Sequence, residues 1–266
     1  MDAKLRRRLD ESGYGRPGFA EGYDAFRPAP PPALVELLPP LAGAPRPVVV
    51  DLGSGTGLST RPWAAVAEEV VGVEPNEAMV RHAEAVTPDR NVRYVSASAY
   101  ETGLTDSSAH LVTASQSLQW MRPEQVFPEI ARILRPGGVL CAYEYFALQT
   151  PLWEVEDEFG AVRERTAVLR EERGLDREKQ LWPVSSERFE ESGIFRRVRE
   201  LALHSVESGD GERLVGFALS QGSLTTLLEA GATEEDVGLD RLRAVAARMP
   251  EPVPWWISYR VWVGLR

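Results

Sequence analysis

The segment that most limits what this chain can become is Val48-Val49-Val50-Asp51-Leu52-Gly53-Ser54-Gly55-Thr56-Gly57. A short β-branched run bounded by turn residues reads as a buried strand. The glycines after it let the backbone reach positive φ and let a ligand approach the main chain closely. A second such run, Val70, Val71 and Val73, ends at Glu74, 21 residues after Gly53. In a parallel sheet both strand ends reach the carboxyl edge. There an acidic side chain can accept hydrogen bonds from both hydroxyls of a ribose. Loop and acid together point to an adenosine-type ligand. Asp51, two residues before the first glycine, is placed to serve a cationic ligand group through water or amide contacts.

The glycine spacing separates one ligand class from another. A dinucleotide loop wants its third glycine three residues after the second. That place is Leu58 here, and the third glycine is Gly57. A nicotinamide-dependent dehydrogenase on the same sheet is therefore the weaker alternative.

The remaining pattern extends the sheet. A helix is expected from the glycine loop to about Ala67. Asn76 to Val86 has helical spacing in Met79, Val80 and Ala83. Val92–Val95 and His110–Ala114 read as strands three and four. Pro123–Leu134 reads as a helix ended by Pro136-Gly137-Gly138, and Val139–Tyr145 as strand five. Strands alternating with helices imply a parallel sheet with helices on both faces. Before this core, Ala33–Leu38 reads as a short helix stopped by Pro39 and Pro40. After it come a charged helix over Trp153–Arg173, a short helix over Ser185–Ser192 and a strand over Val198–Val206. Two or three helices follow over Gly211–Met249, and Trp255–Val263 is the final strand. About 45 residues between the last two strands far exceed a hairpin loop, so they form a helical insertion, read as a lid or cap.

The expected fold is thus α/β: a doubly wound, Rossmann-like, seven-stranded, mostly parallel sheet with a helical cap. Residues 1–46 would be a lead-in and lid, 47–208 a cofactor-binding core, 209–250 the cap insertion, and 251–266 the last strand of the core sheet.

Composition narrows the partners. The chain has 266 residues and a formal charge of −10, which disfavours nucleic acid, since affinity there rests on neutralising phosphates. The basic group Lys4, Arg6, Arg7 and Arg8 reads as a solvated tail. Cys141 is the only cysteine. No intrachain disulfide and no multi-thiolate zinc site can form, and no metal is expected. No window approaches 18 uncharged apolar residues, and no apolar stretch follows the basic N-terminus, so neither a membrane span nor a secretory signal is expected. A cytoplasmic protein acting on a small molecule fits this composition, and its oligomeric state is left open.

On these residues the sequence resembles the class I S-adenosylmethionine-dependent methyltransferases. The likeness rests on Val48–Gly57 and continues in Val73-Glu74-Pro75, Ala97-Ser98-Ala99, Leu111-Val112-Thr113-Ala114 and Leu134-Arg135-Pro136-Gly137-Gly138. It covers roughly residues 15–146. The lead-in Tyr23-Asp24-Ala25-Phe26-Arg27-Pro28 looks like that of the small-molecule branch that includes the trans-aconitate methyltransferases. The resemblance implies S-adenosylmethionine as cofactor, with S-adenosylhomocysteine as product. Asp51, Gly53, Gly55 and Gly57 would bound its methionine part, and Glu74 would take the ribose. Pro75 would flank the adenine, with Ser98 and Ala99 at its edge. Ser115 or Gln116 would lie near the methionine, and Tyr23 and Arg27 would close over its carboxylate. Two positions depart from the family pattern: Ser98 stands where Asp is common, and Gln119-Trp120 where His-Trp is common. A protein that keeps the cofactor pocket but catalyses a non-methylating reaction is a second alternative.

Methyl transfer asks mainly for alignment and exclusion of water. A base helps a hydroxyl or an acidic carbon and is unnecessary for a carboxylate. The residues assign no catalytic group. His82, His110 and His204 read as structural or solvated, and Glu144, at the end of strand five, is a weak candidate base. Tyr14, Phe19, Trp120, Tyr143, Tyr145, Phe146 and Phe217 are the candidate acceptor lining, suited to an apolar or aromatic molecule.

Overall fold

The structure is a computed structural model that describes residues 18–175, 183–249 and 251–266. Seven strands form one sheet: β1 (Val48–Leu52), β2 (Glu69–Val73), β3 (Val92–Val95), β4 (Ala109–Ser115), β5 (Leu134–Gln149), β6 (Arg197–Gly209) and β7 (Val253–Leu265). Their order is β3-β2-β1-β4-β5-β7-β6. The first five run parallel, and β7 is antiparallel to both β5 and β6. The chain steps outward from β1 through β2 to β3, then returns to β4 on the other side of β1. That reversal opens a crevice at the carboxyl edge, where ligands of such sheets bind.

Period-two alternation distributes the strand side chains between two layers. Val50, Leu52, Val71, Val73, Val112 and Leu140 face one layer, with α4 (Pro123–Ile133) and α6 (Ser186–Glu191) packed over them through Ile130, Ile133 and Phe189. Val49, Val70, Leu111, Val139 and Cys141 face the other, covered by Leu34 and Leu38 of α2 (Pro32–Leu41) and by Trp63. Leu34 and Leu38 are fully buried, each contributing about 2 kcal/mol by removal from water. α3 (Glu77–Val86) starts where the Asn76 side chain accepts from the amides of Ala78 and Met79. This cap supplies acceptors for two donors that a helix end leaves unpaired.

α5 (Trp153–Glu172) and the helices between β6 and β7 build a third hydrophobic cluster. These are α7 (Gly211–Leu219), α8 (Gly222–Glu229), α9 (Glu234–Val237) and α10 (Leu239–Ala246). Val155, Phe159 and Val162 of α5 join Leu214, Leu224, Leu227, Leu242 and Trp255 there. The cap therefore draws on two separated stretches of chain, and the charged helix expected within the core shares the cap's interior. α1 (Phe19–Phe26) bridges core and cap: Phe19 and Ala20 pack on Met79, while Phe26 lies against Gly216 so closely that a Cβ there would come within 2.4 Å of the ring.

Several boundaries differ from the sequence reading. The helix expected after the glycine loop is only a 3-10 turn over Arg61–Ala65. Pro62 lacks an amide donor, and the Ser59 and Thr60 hydroxyls bond to Asp51. α2 continues through Pro39 and Pro40 to Leu41, because proline's φ is helical and the ladder closes again at the Ala42 amide on the Leu38 carbonyl, at 2.9 Å. Pro136-Gly137-Gly138 follows the end of α4 at Ile133 as expected, but it lies inside the start of β5, where the register with β4 shifts. The cap insertion holds four helices, not two or three.

Candidate functional site

The glycine loop leaves β1 and turns under the end of β2. The amides of Gly53 and Ser54 both donate to the Val73 carbonyl, at 2.8 and 3.2 Å. Gly53, Gly55 and Gly57 have φ of 70°, 54° and 81°, a region that strains any side-chain-bearing residue. Their surroundings differ. A Cβ at Gly53 would sit 2.6 Å from that of Ser117, and one at Gly57 2.2 Å from the Tyr94 hydroxyl, whereas one at Gly55 would meet nothing within 4 Å. Gly53 and Gly57 are thus required by packing, and Gly55 keeps the main chain bare beside open space.

Two carboxylates stand at this loop. Asp51 is fully buried and accepts from the hydroxyls of Ser59, Thr60 and Thr113 at 2.6, 2.7 and 2.8 Å. Burial pushes its pKa up, and the three hydroxyls oppose that. Its oxygens brace β1 against β4 and the loop, and Asp51 is not among the crevice walls. Glu74, just beyond β2, accepts from the Gly55 amide at 3.1 Å and from the Asn76 amide at 2.9 Å. Burial pushes its pKa up to about 7, partly offset by those two amides.

A crevice with an enclosed volume of about 50 Å³ opens on the loop. Its floor is Gly53, Ser54, Gly55, Thr56, Leu58 and Ser59. Ser115, Gln116 and Tyr143 come from the ends of β4 and β5. Tyr23, Arg27, Pro28 and Pro30 cover it, and Tyr145 of β5 and Tyr259 of β7 complete the wall. Gln116 has a φ of 53°, a conformation rare outside glycine. Its buried Nε2 and the buried Ser54 Oγ have no hydrogen-bond partner among the described residues. Such atoms are costly to leave unpaired, and both belong to crevice-lining residues.

The strap over the crevice is tied at both ends. Asp24 Oδ1 accepts from Thr56 Oγ1 at 2.9 Å and from Arg61 Nη2 at 2.7 Å. Arg27 donates to the Ser220 hydroxyl and carbonyl, both at 2.8 Å, and to the Tyr145 hydroxyl. Its guanidinium also lies over the Tyr23 ring at 4.7 Å and near Phe217 at 5.4 Å. The Tyr259 hydroxyl donates to the Ala29 carbonyl at 2.6 Å.

Of the residues nominated from sequence, Tyr23, Arg27, Gly53, Gly55, Ser115, Gln116, Tyr143 and Tyr145 meet in the crevice. Glu74 joins them through Gly55. Pro75, Ser98 and Ala99 stand beyond the ends of β2 and β3, outside the crevice walls, with Ser98 Oγ accepting from the Tyr100 amide at 3.2 Å. Phe19 packs on Met79 instead of lining the crevice. Phe217 is buried in the cap, with its ring 5.9 Å from that of Tyr145. Trp120 and Phe146 are exposed and lie off the crevice, as does Glu144. Side chains alternate along a strand, so Glu144 points away from the Tyr143 and Tyr145 side; it pairs in register with Arg260, and burial raises its pKa. Tyr14 lies outside the described residues. His110 Nδ1 accepts from the Val48 amide at 3.0 Å, and His204 bonds Ser258, so both are structural. Sequence reasoning passed over Asp24, Ser220 and Tyr259. Asp24 carried a signal, since it sits between Tyr23 and Arg27 in the lead-in; the other two carried none.

Among the described residues no cluster of ligating side chains could hold a metal ion, and no helix is long and apolar enough to cross a membrane.

Strand order, bare loop and strand-end carboxylate form the arrangement that the resemblance to class I methyltransferases implies. A family model described as "Methyltransferase domain" matches residues 50–142. An uncharacterized methyltransferase of Mycobacterium tuberculosis is 35% identical over 154 residues, 57% of this chain and 58% of that protein. A malonyl-[acyl-carrier protein] O-methyltransferase of Herminiimonas arsenicoxydans is 31% identical over 56% of each chain. The chain thus spans little more than half the length of these curated relatives. Among solved structures, one from Anaeromyxobacter dehalogenans, provisionally described as a type II methyltransferase, covers 90% of this chain and 98% of its own, with 24% identity and a TM-score of 0.66. The Haemonchus contortus phosphoethanolamine N-methyltransferase 2 in complex with S-adenosyl-L-methionine covers 98% of this chain and 60% of its own, at 18% identity and a TM-score of 0.54. At these identities the structures speak for the fold.

Proposed function

We propose that this protein transfers a methyl group from S-adenosylmethionine to a small-molecule acceptor. The observation that carries the proposal is Glu74: a buried carboxylate with no cation beside it among the described residues, bonded to the Gly55 amide of a bare loop at the switch point of the sheet. Ribose hydroxyls are donors that such a carboxylate needs. The unpartnered Gln116 amide and Ser54 hydroxyl offer polar contacts to the amino-acid part, and Tyr23 with Arg27 closes over it. The Haemonchus neighbour is described as a complex with this same cofactor, which supports the reading.

When bound, the cofactor supplies a methyl group on a positively charged sulfur for in-line displacement. The protein's part is to align the acceptor and exclude water. Among the described residues no carboxylate or histidine lines the crevice. Its walls therefore suit an acceptor that needs no general base, of which a carboxylate is the simplest. The resemblance to the trans-aconitate branch and the O-methyltransferase relative favour the same choice. Tyr143, Tyr145 and Tyr259 provide an aromatic wall for the acceptor's apolar body. A crevice of about 50 Å³ is small for this cofactor, so the strap of Tyr23 to Pro30 swings out to admit it and shuts behind it.

The test is incubation with methyl-labelled S-adenosylmethionine and a library of small carboxylic acids, followed by mass spectrometry. Labelled methyl ester and S-adenosylhomocysteine in equal amounts are expected. A titration in which NAD binds and S-adenosylmethionine does not would overturn the proposal.

A further inference from the structure

A second cavity lies inside the cap, between α5, α7 and α8. Its volume is about 310 Å³, and it shares no lining residue with the crevice. Ligand pockets run from about 300 Å³ upward. Phe159, Val162, Ala218 and Leu224 give it apolar walls. Arg163, Thr166, Arg170, Gln221 and Ser223 break that lining with polar groups. Thr166 is 4% exposed, and its hydroxyl has no hydrogen-bond partner among the described residues. A threonine inside a helix ordinarily bonds back to the carbonyl four residues earlier; this one does not. Arg163, one turn before it and exposed, also lines the cavity and has no ion pair or hydrogen bond among the described residues. The other cation of the lining, Arg170, is already engaged by Thr226 and by the carbonyls of Ser223 and Leu175.

We infer that this cap cavity is a binding site for a small amphipathic carboxylate, with its apolar body among Phe159, Val162 and Leu224 and its charged end between Thr166 and Arg163. The chemistry follows from the buried, unpaired Thr166 hydroxyl and the exposed Arg163 guanidinium of the same lining. A carboxylate accepts from a hydroxyl and from a guanidinium together, and the second contact is charge-assisted. An uncharged apolar ligand would leave the Thr166 hydroxyl unpaired, and an ammonium would face Arg163. The site also has a route to the crevice. Phe159 stacks on Phe217 at 5.3 Å, and Phe217 meets the crevice residue Tyr145. Gln221 of the lining follows Ser220, which holds Arg27.

The test is calorimetric titration of the full chain with sodium octanoate, and with octan-1-ol as the uncharged analogue. Octanoate is expected to bind one site per chain. Thr166→Val, which keeps shape and removes the hydroxyl, and Arg163→Gln, on an exposed side chain that folding does not need, should each weaken it at least fivefold. Tyr143→Phe, in the crevice, should leave it unchanged, and octanol should bind more weakly and ignore Arg163→Gln. Absence of octanoate binding, equal binding in both cap variants, or loss only in Tyr143→Phe would overturn the inference. The readout needs no methyl transfer, so it stands or falls apart from the proposed activity.

Discussion

Glu74 and Glu129 are both buried carboxylates, 8% and 7% exposed, yet their surroundings push them in opposite directions. Glu129, on α4, accepts from the Thr102 amide and hydroxyl at 2.8 and 2.6 Å and from Arg132 at 2.7 and 2.8 Å. Burial raises its pKa, but Arg132 and Thr102 outweigh that and hold it at about 2. Glu74 has two backbone amides and, among the described residues, no cation, and burial pushes it up to about 7. A carboxylate completed by its own protein stabilises the fold. One left short of donors beside a bare loop has its best partners outside the chain.

The largest expected effect tests the structural half. Glu129→Ala leaves Arg132 and Thr102 without their acceptor and should destabilise the protein by about 2–3 kcal/mol, read by urea unfolding, while S-adenosylmethionine affinity stays within about twofold. A large loss of affinity would break the comparison. Glu74→Ala should do the reverse: affinity falls at least about tenfold, or about 1.4 kcal/mol, and stability at pH 8 is unchanged or higher, because a desolvated charge is gone. An unchanged affinity removes Glu74 from the ribose.

The pH dependence sharpens the same contrast. On the proposed function the carboxylate form of Glu74 is the one that accepts ribose hydroxyls, so affinity should rise about tenfold from pH 6 to pH 8, around a pKa of about 7. Glu74→Gln should flatten that profile. For stability the sign is opposite. Between the unfolded value near 4.5 and about 7 the folded state holds a proton that the unfolded chain has released, so stability declines as pH rises through that window. Glu129 has a depressed pKa: its contribution is present above about 4.5 and lost as pH falls toward 2. Acid unfolding of Glu129→Gln should therefore lack that component.

The smallest effect concerns the strap. The Asp24 to Arg61 ion pair is about one-fifth exposed at both partners. Asp24→Ala should therefore weaken cofactor binding only about threefold, within the 1 kcal/mol that such pairs supply. A loss as large as that of Glu74→Ala would make the strap, and not the loop, the dominant grip.

Much of this site was legible from local pattern. Val48 to Gly57 and Val70 to Glu74 announce themselves because a buried parallel strand needs a β-branched run and a bare loop needs glycine. Asn76 and Asp210 occupy cap positions that their short acceptor side chains suit. The misreadings came from competition between local and tertiary demands. Ser59 and Thr60 looked like helix and instead serve Asp51. Glu144 looked like an edge carboxylate, and strand alternation turned it toward Arg260. Phe146 and Phe217 looked alike as aromatics, and packing exposed one and buried the other.

Chain order alone determined the glycine loop and its acidic neighbour one strand over, because these depend on residues within about 25 positions of one another and on sheet periodicity. Only the tertiary structure decided what closes over that edge and what hides behind it. Arg27 reaches Ser220 across 193 positions, the Tyr259 hydroxyl finds Ala29 across 230, and Phe159 of α5 shares a cavity wall with Leu224 of α8. Contacts between such remote positions are set by how the cap packs against the sheet, and packing leaves no periodic trace in sequence.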